Sequence, residues 1–194
     1  MTQFSLFGAA VAEPTLDDLD GVLLAGGQWV RSAGATARLS VVVADRWRAD
    51  ALVEEFHRRG LDCPPGEPSV TPAEFGFGVR TGFHPALTKL ANVWYRGTTV
   101  LPPAGFELTP GGLRLWAIAA GRADDYGYVL TTADPDDRVH MAGGAQLSRL
   151  GLAGVSIGHR SNPGWRVTSA KRLRRLAELL GDAPPNCGRD WPAV

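Results

Sequence analysis

Few side chains in this sequence have the company that catalysis needs. Ser148, Ser156 and His159 stand in no glycine-framed elbow that would assemble a nucleophilic triad. The glycine pairs Gly26-Gly27 and Gly143-Gly144 lack the lysine and the spacing of a phosphate loop. Cys63 and Cys187, the only cysteines, are too few for a disulfide framework or a cysteine zinc site. The carboxylates Asp20, Asp124 and Asp125 read as solvated or capping groups, the usual station of aspartate. Lys171-Arg172-Leu173-Arg174-Arg175 reads as the solvated face of a helix. No resident metal and no cofactor is expected.

Charge bounds what kind of recognition is left. Twenty Lys and Arg side chains balance 20 Asp and Glu in a chain of 194 residues, a formal net charge of zero. That balance argues against a surface coated with positive charge for indiscriminate nucleic-acid binding, and against an acidic disordered tail, but leaves room for a local basic strip. Hydrophobic residues at 44% and charged residues at 21% predict a packed globular chain, long enough to bury roughly two-thirds of its unfolded surface. No run approaches the roughly 18 apolar residues of a membrane helix, and the N-terminus lacks a basic region followed by an apolar one. A cytoplasmic protein without a membrane partner is expected.

The pattern of elements begins after Pro14, which separates residues 1–14 as a tail. Thr15 with Asp18 has the form of a capping box and predicts a helix over 16–26. A β-branched stretch predicts a strand over 35–44, and Trp47, Leu52, Val53 and Phe56 at helical spacing predict a helix over 46–59. A strand over 75–81, whose Gly76 and Gly78 leave one face thin, and a helix over 84–95 follow. After Pro102-Pro103 the order restarts: a helix over 110–120, a strand over 127–133, a helix over 137–150, a hairpin of 155–158 with 165–168, and a helix over 169–180. Residues 15–100 and 101–183 are thus two repeats, with 184–194 an irregular C-terminal tail.

Leu19-Asp20-Gly21-Val22-Leu23-Leu24-Ala25-Gly26-Gly27 resembles the nine-residue signature of the LAGLIDADG homing endonucleases. The stretch from His84 through Leu108-Thr109-Pro110, Leu113 and Trp116 is similar to the run that opens the family's second repeat. The resemblance spans about residues 15–181. It implies an α+β fold of two pseudo-symmetric LAGLIDADG-like repeats (αββαββα) with curved antiparallel sheets, and signature helices packed side by side. Small residues suit that packing, and Gly21 with Ala25, and Trp116 with Ala120, each share a helix face.

The family cuts DNA with one metal-binding carboxylate at the foot of each signature helix. The matching positions here are Gly26 and Ala120, with Ala119 beside the latter, so the resemblance implies a pseudo-enzyme with neither catalytic acid. It also implies a DNA-facing sheet surface, with Arg38, Arg80, Arg160 and Arg166 as phosphate or guanine contacts and Ser40 and His159 beside them.

Gln3-Phe4-Ser5-Leu6-Phe7 resembles the peptide motif that binds the bacterial sliding clamp, the beta subunit of DNA polymerase III, departing from it only at Phe4. Gln3 would bond at a polar entrance while Leu6 and Phe7 fill apolar subsites. The expected function is that of a non-catalytic, monomeric accessory protein in DNA replication or repair, bound to the clamp and to double-stranded DNA. Two alternatives stand beside it. One is a DNA-binding transcriptional regulator, like a sporulation regulator family with degenerate LAGLIDADG domains, although that family adds a helix-turn-helix segment for which no room remains after Gly181. The other is a metal-dependent endonuclease with relocated acids, Asp124 or Asp125.

Overall fold

A computed structural model of the chain describes residues 12–33, 35–62, 67–96, 99–132, 137–158 and 163–192. The Thr15–Asp18 capping box forms and starts a 3-10 turn, Leu16–Leu19, that runs into α1, Asp20–Leu24. Gly26 then takes a left-handed φ of 93°. From there its N–H reaches Leu23 O at 3.1 Å and the N–H of Gly27 reaches Val22 O at 2.8 Å. This pair of bonds is a Schellman ending, so the helix stops two residues short of the predicted limit.

Each repeat then builds the same sheet. Strands β1 (Gln28–Arg31), β2 (Ala37–Val43), β3 (Ser69–Ala73) and β4 (Gly76–Arg80) lie in the order β1-β2-β4-β3, all antiparallel, with α2 (Arg46–His57) inserted and α3 (Leu87–Trp94) following. A two-stranded ribbon, β5 (Tyr95–Arg96) and β6 (Thr99–Val100), leads to the second repeat. There α4 (Pro110–Ala120) starts with proline in its first turn and the Thr109 hydroxyl accepting from Gly112 N. Strands β7 (Gly121–Asp124), β8 (Gly127–Thr131), β9 (Val155–Ile157) and β10 (Gly164–Val167) take the order β7-β8-β10-β9, with α5 (Asp137–Arg149) inserted and α6 (Ala170–Leu180) closing the repeat.

The inner strands fall where their apolar alternation placed them, whereas β1, β3 and β7 have no counterpart among the predicted elements. Only Trp29 of β1 is buried, only Gly121 of β7, and no residue of β3. Strands with so little buried side chain carry no period-two signal, and their pairing partner alone defines them.

Helices α1 and α4 cross where neither has a side chain. A methyl group built on Gly21 would overlap the backbone carbonyl of Gly112, and one on Gly111 would overlap the Asp18 carboxylate. The Asp18 carboxylate receives the Thr109 hydroxyl at 2.6 Å, the Thr15 N–H at 3.0 Å and the Arg59 guanidinium at 2.7 Å. Arg59 also donates to Glu55, 2.6 Å away, and Glu55 accepts from Arg114 of α4 at 2.7 Å. Burial alone would raise the Glu55 carboxyl, but the hydrogen bonds and charges of Arg114 and Arg59 outweigh it and hold the group below its ordinary range. This buried chain ties the two signature helices to α2. Beneath it Leu19, Leu23, Leu24, Leu113, Leu115 and Trp116 form the core, all 2% exposed or less.

The tail 184–194, expected to be irregular, contains a 3-10 turn, Gly188–Asp190, and packs against Arg114 of α4 through Trp191. Trp191 is buried, bonds Gly181 O through its indole at 3.2 Å and lies under the Arg114 guanidinium.

Gly21→Ala should lower the urea midpoint by the equivalent of roughly 1–3 kcal/mol, because a backbone carbonyl cannot give way as a side chain can. That loss exceeds the gain of up to about 1 kcal/mol that alanine brings to a helix interior. A midpoint equal to or above wild type would refute the close crossing.

Candidate nucleic-acid interface

The C-terminal feet of α1 and α4 open onto a cleft of about 550 Å³ between the two sheets. Ala25, Ala119, Ala120 and Gly121 line its floor, with Val42 and Val43 of β2 on one side and Arg122 and Thr131 on the other. Gly26 and Ala120 thus stand at the helix ends, as the signature implied, and neither offers an oxygen side chain.

A guanidinium is buried at this floor instead. Arg48 of α2, 6% exposed, donates to Ile118 O at 2.9 Å and Gly121 O at 2.7 Å, carbonyls that the end of α4 leaves free. Its position also complements the negative end of the helix dipole. The two carboxylates that line the cleft, Asp45 and Asp190, both pair with Arg48, each at 3.1 Å. Among the described residues no three His, Cys, Asp or Glu side chains come together to hold a metal ion. A floor of alanine and glycine carrying a buried cation does not fit the divalent ion of a two-acid nuclease site.

The outer faces of the two sheets carry the arginines. In β2 the alternation leaves Arg38, Ser40 and Val42 off the core, and the register sets Arg80 opposite Ser40. Arg38 stacks over Phe83 at 4.7 Å, and its buried Nε has no hydrogen-bond partner. Arg80 forms no ion pair among the described residues. On the second sheet Arg166 does lie on the outer face, but its guanidinium is held by Asp124, with Nε at 3.0 Å and the terminal nitrogen at 2.6 Å from one carboxylate oxygen. Desolvation would raise Asp124, yet the Arg166 hydrogen bonds, with the Tyr126 N–H and Arg122, hold it below its ordinary range.

Arg122, which no sequence signal singled out, is exposed on β7, lines the cleft and lies on the same face, opposite Val129. Its strand has no apolar alternation to mark it. Arg160, His159 and the whole Gln3-Phe4-Ser5-Leu6-Phe7 peptide lie outside the described residues.

Two other groups differ from the expectation. Ser156 meets a histidine after all, His140 rather than His159, at 2.8 Å. The ring of His140 also faces the Thr132 hydroxyl at 3.1 Å and stacks on Trp165, so it is built into the packing of α5 on the sheet. Asp20, expected to be solvated, is partly buried and accepts the Trp94 indole N–H at 2.6 Å. Burial pushes its carboxyl up to about 7, against that hydrogen bond and with help from Asp17 and Asp18.

Two four-stranded antiparallel sheets of identical order, joined through a paired helix from each repeat and opening onto one cleft, make this a LAGLIDADG-like two-repeat fold. Among solved structures it is similar to the homing endonuclease I-WcaI bound to its DNA recognition sequence, with a TM-score of 0.62 and 13% identity over 100% of this chain and 90% of that one. Full-length DUF199/WhiA from Thermatoga maritima matches with a TM-score of 0.57 and 11% identity over 86% of this chain, which spans 55% of that one. The N-terminal LAGLIDADG domain of DUF199/WhiA matches with a TM-score of 0.54 and 11% identity over 88% of this chain and 83% of that one. No family model and no curated protein matches the sequence.

The raised Asp20 has a defined signature in stability. The folded state keeps this proton to about pH 7, whereas the unfolded chain releases it near 3.8. Its contribution to stability is therefore full below pH 3.8 and lost as the pH rises through about 7. Asp20→Asn, which still accepts from Trp94, should melt close to wild type near pH 4 and several degrees above it at pH 8. A pH-independent difference would refute the buried-proton assignment.

Proposed function

We propose that this is a non-cleaving DNA-binding protein that lays duplex DNA across its two sheets and is held there by the sliding clamp, as an accessory factor in replication or repair. The observation that carries the DNA reading is that Arg38 and Arg80 lie on the outer face of one sheet and Arg122 on that of the other, flanking a cleft where the helix feet carry no acid and a guanidinium is buried. Three guanidinium groups with no ion pair among the described residues suit phosphate and guanine contacts, and a two-stranded ribbon fits the major groove. The DNA-bound state of I-WcaI, a protein of similar fold, is in keeping with this reading.

The clamp reading rests on residues 3–7. A duplex interface of so few free cations binds weakly at physiological salt, and a terminal peptide seated on a clamp that encircles DNA raises the effective concentration of the sheets near the duplex. The relocated-acid endonuclease is disfavoured because Asp124 is engaged by Arg166.

Immobilised clamp should retain the full-length protein, and Leu6→Ala with Phe7→Ala should weaken retention by about tenfold or more without changing the melting temperature. Equal retention of the variant would remove the clamp from the proposal.

On DNA, the slope of log affinity against log salt should fall by roughly 2 to 3 when Arg38, Arg80 and Arg122 are all changed to alanine, about 0.9 for each phosphate that is no longer neutralised. Asp124→Ala, which frees Arg166, should raise both affinity and slope, the latter by about one. Unchanged slopes in gel-shift titrations would move DNA off this face. Supercoiled plasmid incubated with magnesium or manganese should stay uncut; nicking that Asp124→Ala abolishes would establish the endonuclease alternative.

A further inference from the structure

The lip of the cleft carries one side chain that the arginines leave unused. Strands β3 and β4 pair from Ser69–Arg80 down to Ala73–Gly76, so Glu74 and Phe75 form a two-residue turn. Gly76 takes a φ of 136°, and a methyl there would overlap the Val43 carbonyl, so the hairpin tip is pressed onto the end of β2. Phe75, with no core to fill, is 81% exposed and lines the cleft together with Val42, 59% exposed, and Arg122. Burying a phenylalanine side chain is worth roughly 1.5–3 kcal/mol. Its display on a well-braced turn is a standing cost unless a partner covers it.

On the reading that duplex DNA lies on these sheets, we infer that Phe75 is an apolar wedge that enters the minor groove over the cleft and kinks the duplex. A duplex that turns its major groove toward each of two sheets on opposite sides of a cleft turns its minor groove toward the cleft between them, since the grooves alternate every half turn along one face. An apolar side chain offered to the minor groove parts a base step and bends the DNA, at a cost of a few kcal/mol that flexible pyrimidine–purine steps reduce. Arg122, across the cleft from the tip, supplies a cation for the flanking phosphates, and Val42 extends the apolar surface against the opened step. The guanidinium groups of Arg38, Arg80 and Arg122 would then hold the arms of the bent duplex while Phe75 sets the bend at its centre.

The test needs no known binding site. Linear duplexes of about 100 bp, shorter than the persistence length of about 150 bp, close into circles under ligase only when a protein bends them. At about 50 mM salt and saturating protein, wild type should raise the yield of circles about tenfold, and Phe75→Leu should keep most of that gain. Phe75→Ala should lose it while retaining the duplex in gel shifts within a few-fold of wild type and melting at the same temperature. If Phe75→Ala circularises DNA as well as wild type, or if wild type retains DNA without circularising it, the wedge is wrong and the DNA reading survives. If wild type retains no duplex under these conditions, both fall.

Discussion

Everything in this fold hangs on a backbone contact. At the crossing of Gly21 and Gly112 the two signature helices meet with no side chain between them, and that approach sets how far apart the two sheets stand. It has two costs: glycine in a helix interior gives up about 0.5–1 kcal/mol, and close contact of two helices leaves no room for correction by rotamer change. Both are offset around the crossing. The Asp18–Arg59–Glu55–Arg114 chain clamps the N-terminal side of the helix pair, every charge in it having an opposite partner, so that none is left uncompensated in the interior. Trp191 and the backbone after Leu180 brace Arg114 from the far side.

At the other end of the pair, the same constraint meets a different solution. Helix ends expose carbonyl oxygens, and two such ends brought together concentrate partial negative charge. In a site built to hold divalent metal, cations from solution would meet that field. Here one end turns its carbonyls inward through a Schellman ending at Gly26, and the other has its carbonyls bound by the buried guanidinium of Arg48. The left-handed φ at Gly26 matters for this, because an aspartate there would carry a conformational cost. The free carbonyls at the floor are thus met from within the protein, by a guanidinium that two carboxylates also hold.

Much of this was legible in the sequence, and the boundary of legibility has a physical cause. The capping box at Thr15, the proline-opened α4 and the apolar inner strands β2, β4 and β8 declared themselves, because local hydrogen bonding and alternation are encoded within a few residues. The edge strands β1, β3 and β7 did not, since they bury little and owe their existence to a neighbour, whereas the equally exposed edge β9 was legible through the turn residues that join it to β10. The site followed the same division. The positions of Gly26 and Ala120 at the helix ends could be placed from the signature, and those of Arg38 and Arg80 from their strands. Arg122 was hidden with its strand, and neither the contacts of Arg48 with the end of α4 and Asp190 nor the Asp124–Arg166 pair could be inferred, because these join residues 42 to 142 positions apart. Gly21, the glycine that matters most at the crossing, lay within a recognisable motif, but its partner there, the backbone carbonyl of Gly112, is 91 positions away.

The neutral net charge acquires a local meaning from this arrangement. Of the cations near the cleft, Arg48 is neutralised by Asp45 and Asp190, and Arg166 by Asp124. Pairing of this kind withdraws them from phosphate binding without withdrawing them from the fold. What remains is a small set of arginines on the two faces, and with about 0.9 in salt slope per neutralised phosphate such a set cannot hold DNA for long at physiological ionic strength. On the proposed reading, a surface with those properties would release DNA frequently, and its usefulness would depend on being returned to the duplex by something else. A tether that acts through proximity does that without adding any bond to DNA, because it changes concentration rather than affinity. Weak sheets and a clamp-seeking peptide are therefore complementary parts of one proposal: stronger sheets would make the tether redundant, and a tether without sheets would have nothing to deliver.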